Sequence, residues 1–444
     1  MTFPRDFVWG TATASYQIEG AALQEGRGEC IWTRFSHTPN KVKYGHTGDV
    51  ACDHYHRYPE DVALMQSLGV HAYRFSIAWS RLIPNGTGAV NPMGIDFYSR
   101  LIDKLLEAGI TPFVTLYHWD LPQALEDQGG WTNAAMPDWF ADYTTLVAKQ
   151  YGDRVKHWIT LNEPWCIAFL GYMHGIHAPG VRDEKAAFRA AHHTHLAHGR
   201  AIQALRAEAP NALAGTTLNV VPCEPATDDP RDVQMAHIAD GLQNRWFLDP
   251  VFKGCYPADI VAHLTARGAL DGLDLDAVSI AAQPTDFVGI NYYMRWLIRH
   301  DPNNPERYLT ELPADAQVTH MGWEVYPQGL RGALLRLHRD YAPPAIYVTE
   351  NGAAYPEPDR ATGEVLEDPE RVALLKGYLG AAAEAMAQGV PLKGFFVWSL
   401  LDNFEWAEGY TKRFGIVHVD FATQKRTLKR SALYLKQIVE TGEL

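Results

Sequence analysis

Cysteine is scarce in this chain of 444 residues, and it does not come in pairs. The five cysteines (Cys30, Cys52, Cys166, Cys223 and Cys255) are odd in number and form no C-x-x-C. A disulfide framework and a zinc ribbon are therefore not expected; reduced thiols in a cytoplasmic protein are. Long apolar runs are missing as well: no segment approaches the about 20 residues that a membrane-spanning helix needs. The start, Met1-Thr2-Phe3-Pro4-Arg5-Asp6, lacks the basic and apolar regions of a signal peptide. Basic charge is in deficit. A net charge of −13, with both signs interspersed, argues against nucleic acid and anionic membrane as partners. No G-x-S-x-G, P-loop or dinucleotide fingerprint follows a strand, so hydrolase-fold serine chemistry and nucleotide binding are not expected, and no cofactor is implied.

What is present is a repeating phrase. Ile95, Tyr98, Leu101, Ile102 and Leu105 recur at helical spacing, Gly109 ends the helix, and the apolar run Ile110 to Tyr117 follows as a strand. The phrase occurs earlier as Val62, Met65 and Leu68, then Gly69, then Val70 to Ile77. It returns late as Leu375, Leu379, Ala382 and Met386, then Gly389, then Leu392 to Trp398. Strands are predicted to begin near Val8, His71, Thr111, His157, Ala214, Asp286, Ala345 and Lys393. That is the number a closed (β/α)8 TIM barrel requires, and such a barrel with long loops runs past about 400 residues as one domain. An α/β, single-domain barrel over 1–444 is therefore expected. The Gly/Pro/Asp-rich stretches near 26–50, 172–185, 222–232 and 300–320 are expected as loops over its mouth.

Two carboxylates stand out against this pattern. Glu163 closes Trp158-Ile-Thr-Leu-Asn-Glu-Pro164, and Glu350 closes Ala345-Ile-Tyr-Val-Thr-Glu-Asn-Gly352. Pro164 is expected to hold Glu163 in extended backbone. Asn351-Gly352 taken alone would signal a hairpin turn. Other polar residues fall at the remaining strand ends: Gln17 and Glu19, Arg74, His118 and Trp119, Asn162, Asn219, Asn291 and Tyr293, and Trp398 followed by Glu405 and Trp406. Barrel strand ends face one another, so these residues should converge on one pocket. The histidines His192, His193, His195 and His198 invite a metal reading. They fall on an amphipathic helix over 186–207, in the outer ring, without the spacing of a zincin or zinc ribbon, so no metal site is expected. His54 and His56 are expected in loop packing. Thirteen tryptophans are mostly core, with a minority free to stack on the flat faces of sugars.

Over nearly the whole chain, from about Phe7 to Leu435, these residues resemble glycoside hydrolase family 1, the β-glucosidases and their relatives. The resemblance rests on an ordered set: Phe7 to Gly20, Tyr73-Arg-Phe-Ser-Ile-Ala-Trp-Ser80, Leu116-Tyr-His-Trp-Asp-Leu-Pro122, Thr160-Leu-Asn-Glu-Pro164, Tyr347-Val-Thr-Glu-Asn-Gly352 and Trp398-Ser-Leu-Leu-Asp-Asn-Phe-Glu-Trp406. It implies a (β/α)8 barrel that cleaves small β-glycosides with retention, using Glu163 as acid/base and Glu350 as nucleophile. Arg74, Asn291 and Tyr293 would orient Glu350, and Asn162 would bond the sugar 2-hydroxyl. Gln17, His118, Trp398, Glu405 and Trp406 would bind the glycone. Trp119 completes the substrate-binding set, with Trp323 flanking the leaving group. Glu405 would repel a 6-phosphate, which favours a plain sugar, and the presence of Glu163 favours O-glycosides over thioglycosides. Glucosides are the first expectation and galactosides or fucosides the second. A sugar-binding protein on an inactive barrel and a metal-dependent barrel hydrolase are the alternatives of other classes. Leu433, where relatives often carry tryptophan, is a peripheral departure. Homo-oligomer formation is left open.

Overall fold

The computed structural model describes residues 2–358, 360–361 and 363–444. Eight parallel strands close into a barrel: β1 (Val8–Ala12), β2 (Ala72–Ser76), β3 (Thr111–Tyr117), β4 (His157–Asn162), β5 (Leu213–Asn219), then β7 (Phe287–Asn291), β10 (Ile346–Asn351) and β12 (Leu392–Trp398). Each strand pairs with its neighbours in chain order, and β12 closes the ring on β1, with Trp9 opposite Phe395. Each predicted strand start lies within one residue of the observed one. The agreement has a simple cause. Strands such as β2, β7 and β10 are buried at every position, so their apolar runs are continuous and easy to read.

The helices between strands follow the predicted phrase. Pro92–Glu107 buries Tyr98, Leu101, Ile102 and Leu105, and Asn91 caps it by accepting a hydrogen bond from the Met93 amide. The glycines that stop three such helices, Gly69, Gly109 and Gly389, all take positive φ (72°, 74° and 92°), where a Cβ would be strained. The histidine-rich helix spans Glu184–Glu208 on the outside of the barrel, and all four histidines face inward. His198 Nδ1 lies 2.8 Å from Thr160 Oγ1 of β4, which fixes that orientation.

Three expectations are corrected. His54 and His56 are not in a loop: both lie on the helix His54–Ser67, where His54 Nδ1 sits 2.8 Å from Asp61 Oδ2 in the buried interior and His56 Nδ1 2.6 Å from Asp53 Oδ1. The stretch near 26–50 carries a helix, Ile31–His37, and the stretches near 222–232 and 300–320 are not only loop either. These last two contribute to a small sheet of β6 (Cys223–Pro225), β8 (Trp296–Asp301) and β9 (Asn304–Glu311), and the helix Pro230–Asp240 packs on it. Its strands are short and half-exposed, so they lack the apolar runs that announce the barrel strands. The third concerns Glu163 and belongs with the site. A further sheet, β11 (Val365–Leu366), β14 (Lys425–Lys429) and β13 (Val417–Asp420), lies beyond β12. No helix among the described residues is long and apolar enough to cross a membrane.

Candidate active site

The polar residues of the strand ends converge, as a barrel demands, except Glu19, whose buried carboxylate is taken by Arg81 and the Tyr98 hydroxyl away from the pocket. A cavity of about 570 Å³ is lined by His118, Trp119, Glu163, Asn291, Tyr293, Trp323, Glu350, Trp398, Glu405 and Trp406. That volume suits a small-molecule site. Gln17, Arg74 and Asn162 lie behind this wall, fully buried, and hold the lining residues in place.

Two backbone features aim the carboxylates. Strand β10 runs through Glu350 to Asn351 without forming a hairpin, because Gly352 passes directly beneath β12. A Cβ on Gly352 would fall 1.7 Å from the Trp398 carbonyl oxygen. Glu163 is not extended, as Pro164 had suggested; it adopts φ 49°. Its carbonyl accepts bonds from the amides of Cys166 and Ile167, and its own amide donates to Thr217 O at 2.9 Å. The chain thus turns within one residue from β4 into a helical segment, with Pro164 at its first position. Trp119 (φ 75°) and Trp406 (φ 48°) are likewise left-handed. Left-handed backbone at non-glycine residues costs about 1–3 kcal/mol each, so three such residues around one cavity mark it as a place where geometry outweighs local stability.

The side chains form one connected network. Arg74 Nη1 donates to Glu350 Oε1, and the Tyr293 hydroxyl donates to Oε2 at 2.7 Å. Arg74 Nη2 donates to Asn162 Oδ1 at 2.6 Å. Asn291 Nδ2 donates to Glu163 Oε1 at 2.8 Å and to Asn162 Oδ1 at 3.1 Å. Thr349 Oγ1 donates to Asn291 Oδ1 at 2.8 Å, and the orientation of that amide follows from its other end, which meets the Asn162 oxygen that already accepts from Arg74. Asn162 Nδ2 meets His118 Nε2 at 3.0 Å. An amide NH2 can only donate, so Nε2 accepts and the imidazole proton resides on Nδ1. That Nδ1 is buried and free of protein partners, as is Gln17 Oε1, whose Nε2 donates to Asn403 Oδ1 (3.0 Å), Phe404 O (2.9 Å) and Glu405 Oε2 (3.4 Å). The site thus holds one spare donor and one spare acceptor beside the carboxylate of Glu405.

Charge in this pocket is in excess of what it can hold. Burial pushes Glu163 well above the ordinary carboxylate range, and the negative charge of Glu350 pushes it further. Burial also raises Glu350 in spite of its neighbours; the Arg74 guanidinium and the Tyr293 hydroxyl oppose it. Glu163 has only an amide and a thiol as donors, so the proton shared by the two resides on Glu163. Glu405 is raised to about 8, by burial first and then by the charge of Glu350. Burial and nearby Arg74 keep His118 neutral.

Several lining residues have no signal in the sequence. His177, lowered to about 3 by burial, comes from a loop and packs on Trp119 with ring centroids 5.4 Å apart. Cys166 donates its thiol proton to Glu163 Oε2 at 3.2 Å. Trp165, Trp296, Gln243 and Met321 also line the cavity. Only Trp165 lies beside a motif residue. The histidines of the long helix go elsewhere: His192 Nδ1 to the Tyr256 hydroxyl (2.9 Å) and His193 Nδ1 to Trp131 O (2.8 Å). Among the described residues, one group has the spacing of metal ligands, Glu357, Asp402 and His418. Lys429 Nζ already binds both of its carboxylates, with Arg371 on Glu357 and Arg413 on Asp402, so the group reads as an ion network.

Fold and site together define a (β/α)8 glycoside hydrolase of the two-carboxylate kind. The chain belongs to glycosyl hydrolase family 1, whose model matches residues 1–444. It is 49% identical over 443 residues to "Beta-glucosidase A" of Thermotoga maritima, covering 100% of this chain and 98% of that protein. It is 46% identical over 443 residues to "1,4-beta-D-glucan glucohydrolase" of Thermotoga neapolitana, covering 100% and 99%. The solved structure of the Thermotoga maritima β-glucosidase in complex with deoxynojirimycin superposes with a TM-score of 0.96 at 48% identity, covering 100% of this chain and 99% of that one.

Proposed function

We propose that this protein is a retaining exo-β-glycosidase, acting chiefly as a β-glucosidase on cello-oligosaccharides and aryl or alkyl β-glucosides. The observation that carries the reading is that Glu163 and Glu350 line one cavity and are joined by one short run of bonds: Asn291 donates to Glu163 and to Asn162 Oδ1, and Arg74 donates to that same oxygen and to Glu350. That close linkage supports the about 5–5.5 Å spacing at which one carboxylate attacks the anomeric carbon directly, without an intervening water. Glu350, held ionised by Arg74 and Tyr293, forms the bond to C1 while Glu163 gives its proton to the departing glycosidic oxygen. In the covalent intermediate the charge of Glu350 is gone. Glu163 then loses the repulsion that raised it and takes a proton from the water that attacks C1, releasing the sugar and restoring both groups.

The glycone is held by Gln17, His118, Asn162, Trp398, Glu405 and Trp406. The Nδ1–H of His118 and the free Oε1 of Gln17 offer a donor and an acceptor to sugar hydroxyls, and Asn162 reaches the 2-hydroxyl. Trp119 and Trp323 contribute flat surface to substrate. Relatives named as a β-glucosidase and a glucan glucohydrolase support glucose as the sugar. All these residues come from one chain, so the pocket is complete with or without homo-oligomer formation. We place the enzyme in the cytoplasm, in line with its five free thiols.

The test is the variant Glu350→Gly. It should lose hydrolysis of aryl β-glucosides yet still use an α-glucosyl fluoride, which fills the space left by the carboxylate, to glycosylate an acceptor. Loss of both reactions, with the fold intact, overturns Glu350 as nucleophile.

A further inference from the structure

Arg295 stands between two cavity-lining residues, Met294 and Trp296, yet its own side chain turns away from the cavity and is 14% exposed. It grips two segments at once. Nε donates to Glu324 Oε2 at 2.8 Å and Nη2 to Glu324 Oε1 at 3.0 Å, a two-pronged pair; Nη1 donates to Glu224 Oε2 at 2.7 Å. The guanidinium also lies over the Tyr326 ring, 3.6 Å from its centroid. Glu224 belongs to β6, which pairs with β8 and so with Trp296. Glu324 follows Trp323 in a tight loop closed by the Thr319 amide on Trp323 O at 2.9 Å.

Two aromatic surfaces of the cavity are therefore joined through one cation, beside the bond from the Tyr292 hydroxyl to Tyr326 O at 2.8 Å. Trp296 packs edge-on against Trp165, with centroids 6.1 Å apart. Trp323 packs on Tyr293 at 5.2 Å. Tyr293 and Trp296 flank Arg295 on one segment, whereas Trp323 and Trp165 reach them from other parts of the chain. Without Arg295, Glu224 and Glu324 would face each other as uncompensated carboxylates, one of them buried, and like charges at that range drive segments apart.

We propose that Arg295 is a positioning residue for the leaving-group half of the pocket: by holding Glu224 and Glu324 together it sets the spacing of Trp296 and Trp323, and so decides which aglycones are accepted. This rests on the glycosidase reading above. The glycone half, built on Gln17, His118 and Glu405, has no contact with this clamp, so its affinity should not change.

The experiment compares the parent enzyme with Arg295→Met and Arg295→Lys, using cellobiose and 4-nitrophenyl β-D-glucoside as substrates and D-glucose as a competitor that fills the glycone half alone. Arg295→Met should lose about tenfold in kcat/KM for cellobiose, chiefly through KM, while the glucose inhibition constant stays within about twofold. Arg295→Lys keeps the charge but not the fork or the stacking, so it should fall between the two. Unchanged KM values in Arg295→Met overturn the proposal, and so does a glucose constant that weakens in step with KM, which would mark a general loss of structure. A parent enzyme that turns over neither glucoside refutes the glycosidase reading itself, an outcome distinct from a normal parent with indifferent variants.

Discussion

The acid/base role of Glu163 makes the sharpest prediction, because it ties a leaving-group effect to a pH effect. In Glu163→Ala the departing oxygen no longer receives a proton. A positioned general acid contributes about 10²–10⁴-fold, or about 3–5 kcal/mol of barrier, and that loss should appear in full for alkyl glucosides and cellobiose. A dinitrophenolate leaves without help, so glycosylation from dinitrophenyl glucoside should be nearly untouched, and its slow step becomes hydrolysis of the intermediate. Azide, which needs no general base, should then restore turnover and yield a glucosyl azide. The pH profile supplies the second half. In the parent, activity should fall as pH rises through the titration of Glu163, which burial and Glu350 place well above the ordinary range. It should also fall as pH drops through that of Glu350, raised by burial. Glu163→Ala should lose the alkaline limb altogether. It should keep the acidic limb, since Glu163 is neutral when Glu350 ionises and its loss removes no charge from beside Glu350. A uniform loss across leaving groups, or an alkaline limb that survives, refutes the assignment.

Two further tests concern groups around the pocket. Glu405→Gln should cut kcat/KM for glucosides by weakening glycone contacts, and it should also flatten the stability profile. Glu405 is raised to about 8 in the fold, so the stability carried by its protonated form is complete below the unfolded value of about 4.3 and lost as pH rises through about 8. Melting curves of parent and variant should therefore diverge in the variant's favour from mildly acidic to mildly alkaline pH; parallel curves would contradict this. Lys429→Met should destabilise by about 3 kcal/mol, measured by denaturant unfolding. It leaves Asp402 and Glu357 buried with only Arg371 and Arg413 to compensate them. An unchanged midpoint would mean that this ion network adds nothing to stability.

Much of this enzyme is written in short stretches of chain. Continuous apolar runs specify β2, β7 and β10 because both faces of those strands are buried, and helix periodicity followed by a left-handed glycine marks the returns to β2, β3 and β12. The eightfold count then places Glu163, Glu350, Arg74, Asn291 and Tyr293 at one mouth, since parallel strands present their ends together. These are consequences of near-neighbour chemistry, and the sequence by itself determined them. Tertiary structure decided the rest. Pro164 argues locally for an extended Glu163, yet bonds to Thr217, Cys166 and Ile167 impose a left-handed turn. His177 and Trp296 reach the pocket from segments without a periodic pattern, and Arg295 acquires its partners only when β6 and the loop before Tyr326 meet. The proton on Glu163 is likewise a property of the closed barrel. No residue near it in sequence removes water or supplies the charge of Glu350, and both arise from chain segments nearly 190 positions apart brought against each other.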